Sequence, residues 1–276
     1  MSYYDDIQYS ANYLRTKTVR EPGIALILGS GLGDLGSRIS DPVVIPYEEI
    51  PGFPHSHLDG HADQLVFGML GGQQVAAMQG RFHYYEGFSM KQLTFPVFVL
   101  NALGCRDLIV TNACGAINPS FSPGDLMLIT DHMNLWGQNP LIGENDSRLG
   151  PRFPDMTEVY TRRLLSLAEK TAADLSTPVQ HGIYAYFSGP CFETAAEIHA
   201  YKTLGADAVG MSTVPETTAA RYLGMRVLGI ACVTNMATGI AKKEHSHLDV
   251  LAAAEAAGER FSTLVETILS RWDEIA

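Results

Sequence analysis

Short runs of aliphatic and β-branched residues recur along this chain, most of them closing at or just before glycine, asparagine or threonine, at 24–28, 65–70, 74–78, 108–111, 126–130, 182–187, 206–209 and 227–234. An apolar run of that length, bounded by turn residues, predicts a buried strand. Stretches with helical spacing lie between them. A helix is expected over 90–103, bent by Pro96, whose nitrogen has no proton to donate. The segment 156–175 is amphipathic, and 194–204 and 215–223 end at Gly205 and Gly224, typical helix stops. The segment 248–272 predicts a long final helix. Pro42, Pro46, Pro51 and Pro54 mark their stretch as a loop. Strands alternating with helices predict an α/β fold, a sheet with helices on both faces and functional residues where strands hand over to loops. With no repeat, no low-complexity stretch and no long linker, residues 1–276 read as a single domain.

Composition narrows the functional classes. The formal net charge is −11, from 19 basic and 30 acidic residues. Such a chain repels nucleic acid and acidic membrane surfaces, although backbone N–H groups and an arginine can still hold a small anion locally. The four cysteines, Cys105, Cys114, Cys191 and Cys232, form no C-x-x-C pair and read as reduced thiols. The opening MSYYDDIQYS has no signal-peptide pattern, and no apolar run reaches the roughly 20 residues that span a bilayer. A cytoplasmic enzyme without a membrane partner is expected.

Candidate chemistry follows the strands. Gly29-Ser30-Gly31-Leu32-Gly33-Asp34-Leu35-Gly36 comes directly after the first. Its exposed N–H groups suit an anion, with Ser30 beside them. The same glycines formally match G-x-G-x-x-G, but Glu48 and Glu49 do not stand where a dinucleotide site wants its acid, and a plain turn is the third reading. His55-Ser56-His57-Leu58-Asp59-Gly60-His61-Ala62-Asp63 has metal-ligand residue types, yet Gly60 breaks the H-x-H-x-D-H spacing. An exposed loop is the better reading, with no metal and with His61 open to an anion. In Gln79-Gly80-Arg81-Phe82-His83-Tyr84-Tyr85-Glu86-Gly87, an extended backbone would put Arg81, His83 and Tyr85 on one face, fit for phosphate and sugar hydroxyls. Glu86 is expected to hold Arg81. Ser188–Thr194 sets the carboxylate of Glu193 beside Phe192, a pair able to stack on a heterocycle and bond its edge, or simply a helix-capping turn. Segments 110–116, 209–216 and 233–237 each end a strand in small polar residues.

Taken together, GSGLG, GHAD, GRFHYYEG, VTNACGAINP, GPCFET, GADAVGMSTVPE and VTNMATG stand in the order seen in the trimeric purine nucleoside phosphorylases, and the chain resembles that family from about residue 25 to its final helix. The resemblance implies one α/β domain around a twisted, partly closed mixed sheet, a homotrimer, and phosphorolysis of purine nucleosides to free base and α-ribose 1-phosphate with inversion. It implies phosphate contacts from Ser30, His61, Arg81, His83, the Ala113 backbone N–H and Ser212. Ribose contacts are expected from Tyr85, Met211 and His247, and purine contacts from Ala113, Tyr184, Phe192, Glu193, Val209 and Asn235. His83, Glu193 and Asn235 are the implied catalytic groups, and Phe153 would close the neighbouring subunit's site. No metal or organic cofactor is expected, phosphate being a co-substrate. Methylthioadenosine phosphorylases resemble the chain too but carry Asp where Asn235 stands, which points here to 6-oxopurine nucleosides such as inosine and guanosine. Competing readings are a 6-aminopurine phosphorylase, an NAD-dependent oxidoreductase and a non-catalytic nucleoside-binding module.

Overall fold

The computed structural model describes residues 2–29, 33–55, 62–240 and 247–275. Nine strands form one mixed sheet: β1 Ile24–Leu28, β2 Ser40–Pro46, β3 Gln64–Leu70, β4 Gln73–Gln79, β5 Asp107–Ala116, β6 Leu126–Met133, β7 Val179–Tyr186, β8 Ala208–Gly210 and β9 Arg226–Met236. Their order is β2-β3-β4-β1-β5-β8-β7-β6-β9, and β9 pairs back onto β5, so the last five strands close into a ring. Pairing is parallel for β1 with β4 and β5, and for β5 with β9. It is antiparallel for β2 with β3, β3 with β4, β5 with β8 and β6 with β9. The expected α/β fold with a partly closed mixed sheet is present.

The helices are α1 Tyr3–Lys17, α2 Met90–Leu103, α3 Arg162–Asp174, α4 Ala195–Leu204, α5 Val214–Tyr222 and α6 His247–Ser270. Alternation along the strands feeds two cores. Ala25 and Ile27 of β1 join Leu108 and Val110 of β5 in the core under α1, α2 and α5. Ile24, Leu26 and Leu28 face the other way, into the core under α3 and α6. Ile198 of α4 packs with Ile117, Ala185 and Val209 in a third, smaller cluster at the mouth of the ring.

Four expectations need correction. The proline-rich stretch contains strand β2, which has a partner on one side only and shifts register between Ser40 and Val43. An edge strand with such an irregularity tolerates Pro42 and Pro46. The helix expected from 156 starts at Arg162, because the Thr161 N–H donates to the Val227 carbonyl and Thr161 Oγ1 accepts from Val227 N–H. Those two bonds tie the preceding residues to the sheet. Among the described residues the link from β1 to β2 holds a short 3₁₀ turn, Gly33–Arg38, and no crossover helix, so the dinucleotide reading has no βαβ unit to stand on there. Finally, Tyr84–Glu86 is a 3₁₀ turn rather than an extended segment.

Candidate active site

A cavity of about 330 Å³ opens where β1, β5, β8 and β9 end, and it meets the first turns of α6 at Val250. That size suits a small-molecule site. Its wall brings together Arg81, His83, Tyr85, Ala113, Phe192, Glu193, Val209, Met211, Ser212 and Asn235. Residues from five separated motifs thus meet in one place.

One end of the cavity is cationic. Arg81 is fully buried; its Nη1 donates to Ser212 Oγ at 2.8 Å and to Thr213 Oγ1 at 3.0 Å, and Nη2 donates to the carbonyls of Ile27 and Thr111. Burial draws its pKa below the ordinary arginine value, and the nearby Glu216 carboxylate opposes that shift. Glu216 lies 3.7 Å from Nη1 and is itself buried. The carboxylate beside Arg81 is therefore Glu216, not Glu86. Glu86 instead accepts from the His83 backbone N–H at 2.7 Å and from Nδ1 at 3.1 Å. A carboxylate only accepts, so in this pair Nδ1 carries the proton. The imidazole stacks on Tyr85 with centroids 4.8 Å apart. Burial, then the charge of Glu86, pushes the Tyr85 phenol up to about 12, so it remains a neutral hydroxyl.

The other end is apolar with two polar groups. Thr194 caps α4 through a reciprocal bond set with Glu197. The chain just before it presents Phe192, with Glu193 only 6 % exposed. Burial, reinforced by Glu197, raises the Glu193 pKa above the usual carboxylate value, against a lowering backbone hydrogen bond. Gly189, at φ +65°, lets this segment lie on Met211 and Tyr85, since a Cβ there would sit 2.6 Å from Met211 Sδ. Opposite, the β5–β9 register slips so that Cys114 faces Val233 while Gly115 faces Asn235, which leaves Thr234 as the extra residue of a bulge. The Thr234 hydroxyl donates to Asn235 Oδ1 at 3.0 Å. Asn235 Nδ2 donates one proton to the Met236 carbonyl at 3.2 Å and retains a second for a ligand.

Some expected residues fall elsewhere. Tyr184 is not at the cavity surface: it is fully buried behind Gly210, where an added Cβ would meet its hydroxyl at 2.2 Å. Phe153 is 86 % exposed and outside this cavity. Ser30, His61 and the His247 side chain lie outside the described residues. Sequence reading missed Asn112, Thr213, Thr234 and Glu216. All four stand inside quoted motifs, but their partners are distant in sequence and only the fold supplies them.

The Phosphorylase superfamily model matches residues 23–270. The chain is 51% identical to purine nucleoside phosphorylase 1 of Bacillus subtilis, over 98% of this chain and 99% of that one. It is 52% identical to purine nucleoside phosphorylase 1 of Geobacillus stearothermophilus, over 95% and 96%. Among solved structures, isoform 2 of the Schistosoma mansoni purine nucleoside phosphorylase, in complex with cytosine and ribose-1-phosphate, superposes with a TM-score of 0.93 at 38% identity, over 97% of this chain and 96% of that one. By family match, near-full-length identity and shared fold, this chain belongs to the Phosphorylase superfamily and, within it, to the purine nucleoside phosphorylases.

Proposed function

We infer that the chain cleaves purine nucleosides with phosphate, giving free base and α-ribose 1-phosphate. The observation that carries this is one cavity whose wall joins a buried cation and hydroxyl groups, an aromatic–carboxylate–amide set, and Tyr85 and Met211. A nucleoside laid along it puts its sugar over the anion end. A phosphate oxygen attacks C1′ as the C1′–N9 bond breaks, and the bonding pair leaves with the purine. Positive charge on the sugar, as in glycoside cleavage, is met by the phosphate anion. Negative charge on the base is met by the remaining Asn235 Nδ2 proton at N7, a donor aimed at charge that develops in the transition state. Attack from the face opposite the base inverts the anomeric carbon. Glu193 accepts from N1–H of a 6-oxopurine, so inosine and guanosine are the proposed substrates. No step calls for a metal or an organic cofactor.

The proposed assembly is a homotrimer. A cytoplasmic location is proposed from the acidic composition and from four free cysteines, three of them buried. No helix among the described residues is long and apolar enough to cross a membrane.

Following hypoxanthine release from inosine with and without phosphate tests the reading. Release should require phosphate and yield ribose 1-phosphate. Equal rates in phosphate-free buffer, with free ribose as product, would mean a hydrolase; hydride transfer to NAD or binding without turnover would favour the other classes.

A further inference from the structure

Next to the anion end the backbone takes an uncommon turn. Thr213 has φ +79° and ψ −49°. The Val214 N–H donates to the Ser212 carbonyl at 2.9 Å, closing a three-residue γ-turn. Asp41, Asp63 and Ser176 also have positive φ, but near +50°, in the left-handed region that short polar residues visit. A β-branched residue at the Thr213 angles persists only where its surroundings over-determine it. Here they do: the side chain is fully buried, and Oγ1 accepts from Arg81 Nη1 at 3.0 Å and from Asn112 Nδ2 at 2.8 Å. The same turn starts α5 and brings Glu216 to within 3.7 Å of Arg81.

Proton bookkeeping then fixes the direction of the next bond. A hydroxyl has two acceptor lone pairs and one proton. Both lone pairs of Thr213 Oγ1 are taken, so toward Ser212 Oγ, 3.4 Å away, it can only donate. Ser212 Oγ already accepts from Arg81 Nη1 at 2.8 Å. With its second lone pair turned to Thr213, Ser212 has only a proton left to offer, and it lines the cavity. We propose that Thr213 is a positioning residue whose strained turn and doubly accepting hydroxyl make Ser212 an obligate donor to the anion. The seat thereby selects a ligand oxygen that only accepts, as in inorganic phosphate. This rests on reading Arg81 and Ser212 as the phosphate end.

The test uses Thr213→Val, which keeps the shape but removes the hydroxyl, and Thr213→Ser, which keeps the hydroxyl. Phosphate and inosine are each varied in kinetics, and inorganic phosphate is titrated in thermal unfolding. Thr213→Val should raise the phosphate KM about 10- to 100-fold while the inosine KM changes by less than about threefold. The rise in Tm produced by phosphate should shrink in parallel, and Thr213→Ser should restore most of both. A purely structural role would move both KM values together, and that result, or a wild-type phosphate KM in Thr213→Val, overturns the proposal. Should Thr213→Val fail to fold, Asn112→Ala frees one lone pair of Thr213; a smaller rise in phosphate KM is then expected, and an unchanged value counts against the idea. A wild-type protein stabilised by phosphate but unable to use it on inosine would sink the phosphorylase reading alone. One that phosphate does not stabilise would sink the seat.

Discussion

Asn235 and Glu193 are read by what they can donate and accept. The Thr234 hydroxyl, shared between the Cys114 carbonyl and Asn235 Oδ1, occupies the amide oxygen and leaves the amide nitrogen as the donor. An N–H there suits N7 and the carbonyl of a 6-oxopurine, whereas a carboxylate suits a 6-amino group. Asn235→Asp should therefore lower inosine cleavage and raise adenosine cleavage relative to it, a shift of about 2–4 kcal/mol or about 30- to 1000-fold in the kcat/KM ratio. An unchanged ratio would remove Asn235 from base reading. Glu193 carries a different signature. Its pKa is raised by burial, so the folded state binds the proton more tightly than the unfolded chain does. That contribution is fully present below the ordinary carboxylate value and is lost as pH rises through the raised folded value. Glu193→Gln should erase this slope: in urea denaturation the variant gains on the wild type as pH rises out of the ordinary carboxylate range and through the raised folded value. Its kcat/KM for inosine should fall about 10- to 100-fold, as the N1–H loses a charged acceptor. A stability difference that does not vary with pH would contradict the raised pKa.

Strand β8 is three residues long, yet it carries Val209 and delivers Met211 and Ser212 to the cavity. Gly210 faces the Tyr184 ring, so a Cβ there would lie 2.2 Å from Oη and 3.0 Å from Cζ. Gly210→Ala should cost about 1–3 kcal/mol of stability through overpacking. Adding Tyr184→Phe removes the nearer clash and should recover about 1 kcal/mol in a double-mutant cycle of chemical denaturation. Additive losses would mean that the tyrosine moves aside freely. This joint also marks how far the sequence could be read. Strand β1 and helix α2 are legible to the residue, because a bounded apolar run and helical spacing are local signals. Helix α1 went unread although Ser2 and Asp5 form a capping box, since its buried stripe is only Ile7, Ser10, Ala11 and Leu14. The motifs supply Arg81, Glu193 and Asn235, which meet on one cavity wall, but the pairing of Arg81 with Glu216, the strain at Thr213 and the bulge at Thr234 arise from contacts distant in sequence. No local pattern encodes those. Tyr184 shows the same limit from the other side: a strand position decides which face a side chain takes, and here it is the face behind the wall.

At the scale of the whole molecule, the exposed apolar residues are unevenly placed. Leu135, Ile142 and Phe153 are 58 %, 62 % and 86 % exposed, and all lie on the excursion between β6 and α3. An excursion of that length inside a compact domain is usually functional, and Phe153 is the most exposed of these three large apolar side chains. A head-to-tail contact that closes after three copies would give each subunit's Phe153 to a neighbour and bring another to its own cavity, at the purine and sugar end rather than the anion end. Phe153→Ala should then raise the nucleoside KM about 10-fold or more, the worth of burying one aromatic side chain at about 1.5–3 kcal/mol. The phosphate KM should stay nearly level, because the proposed anion seat is built from Arg81, Ser212 and Thr213 of the same chain. Subunit stability should also hold, since the ring buries little of itself within its own chain. Light scattering and two-substrate kinetics on the same samples decide the matter. An active monomer, or an alanine variant with an unchanged nucleoside KM, would show that the cavity works without a neighbour and that the exposed ring has some other use.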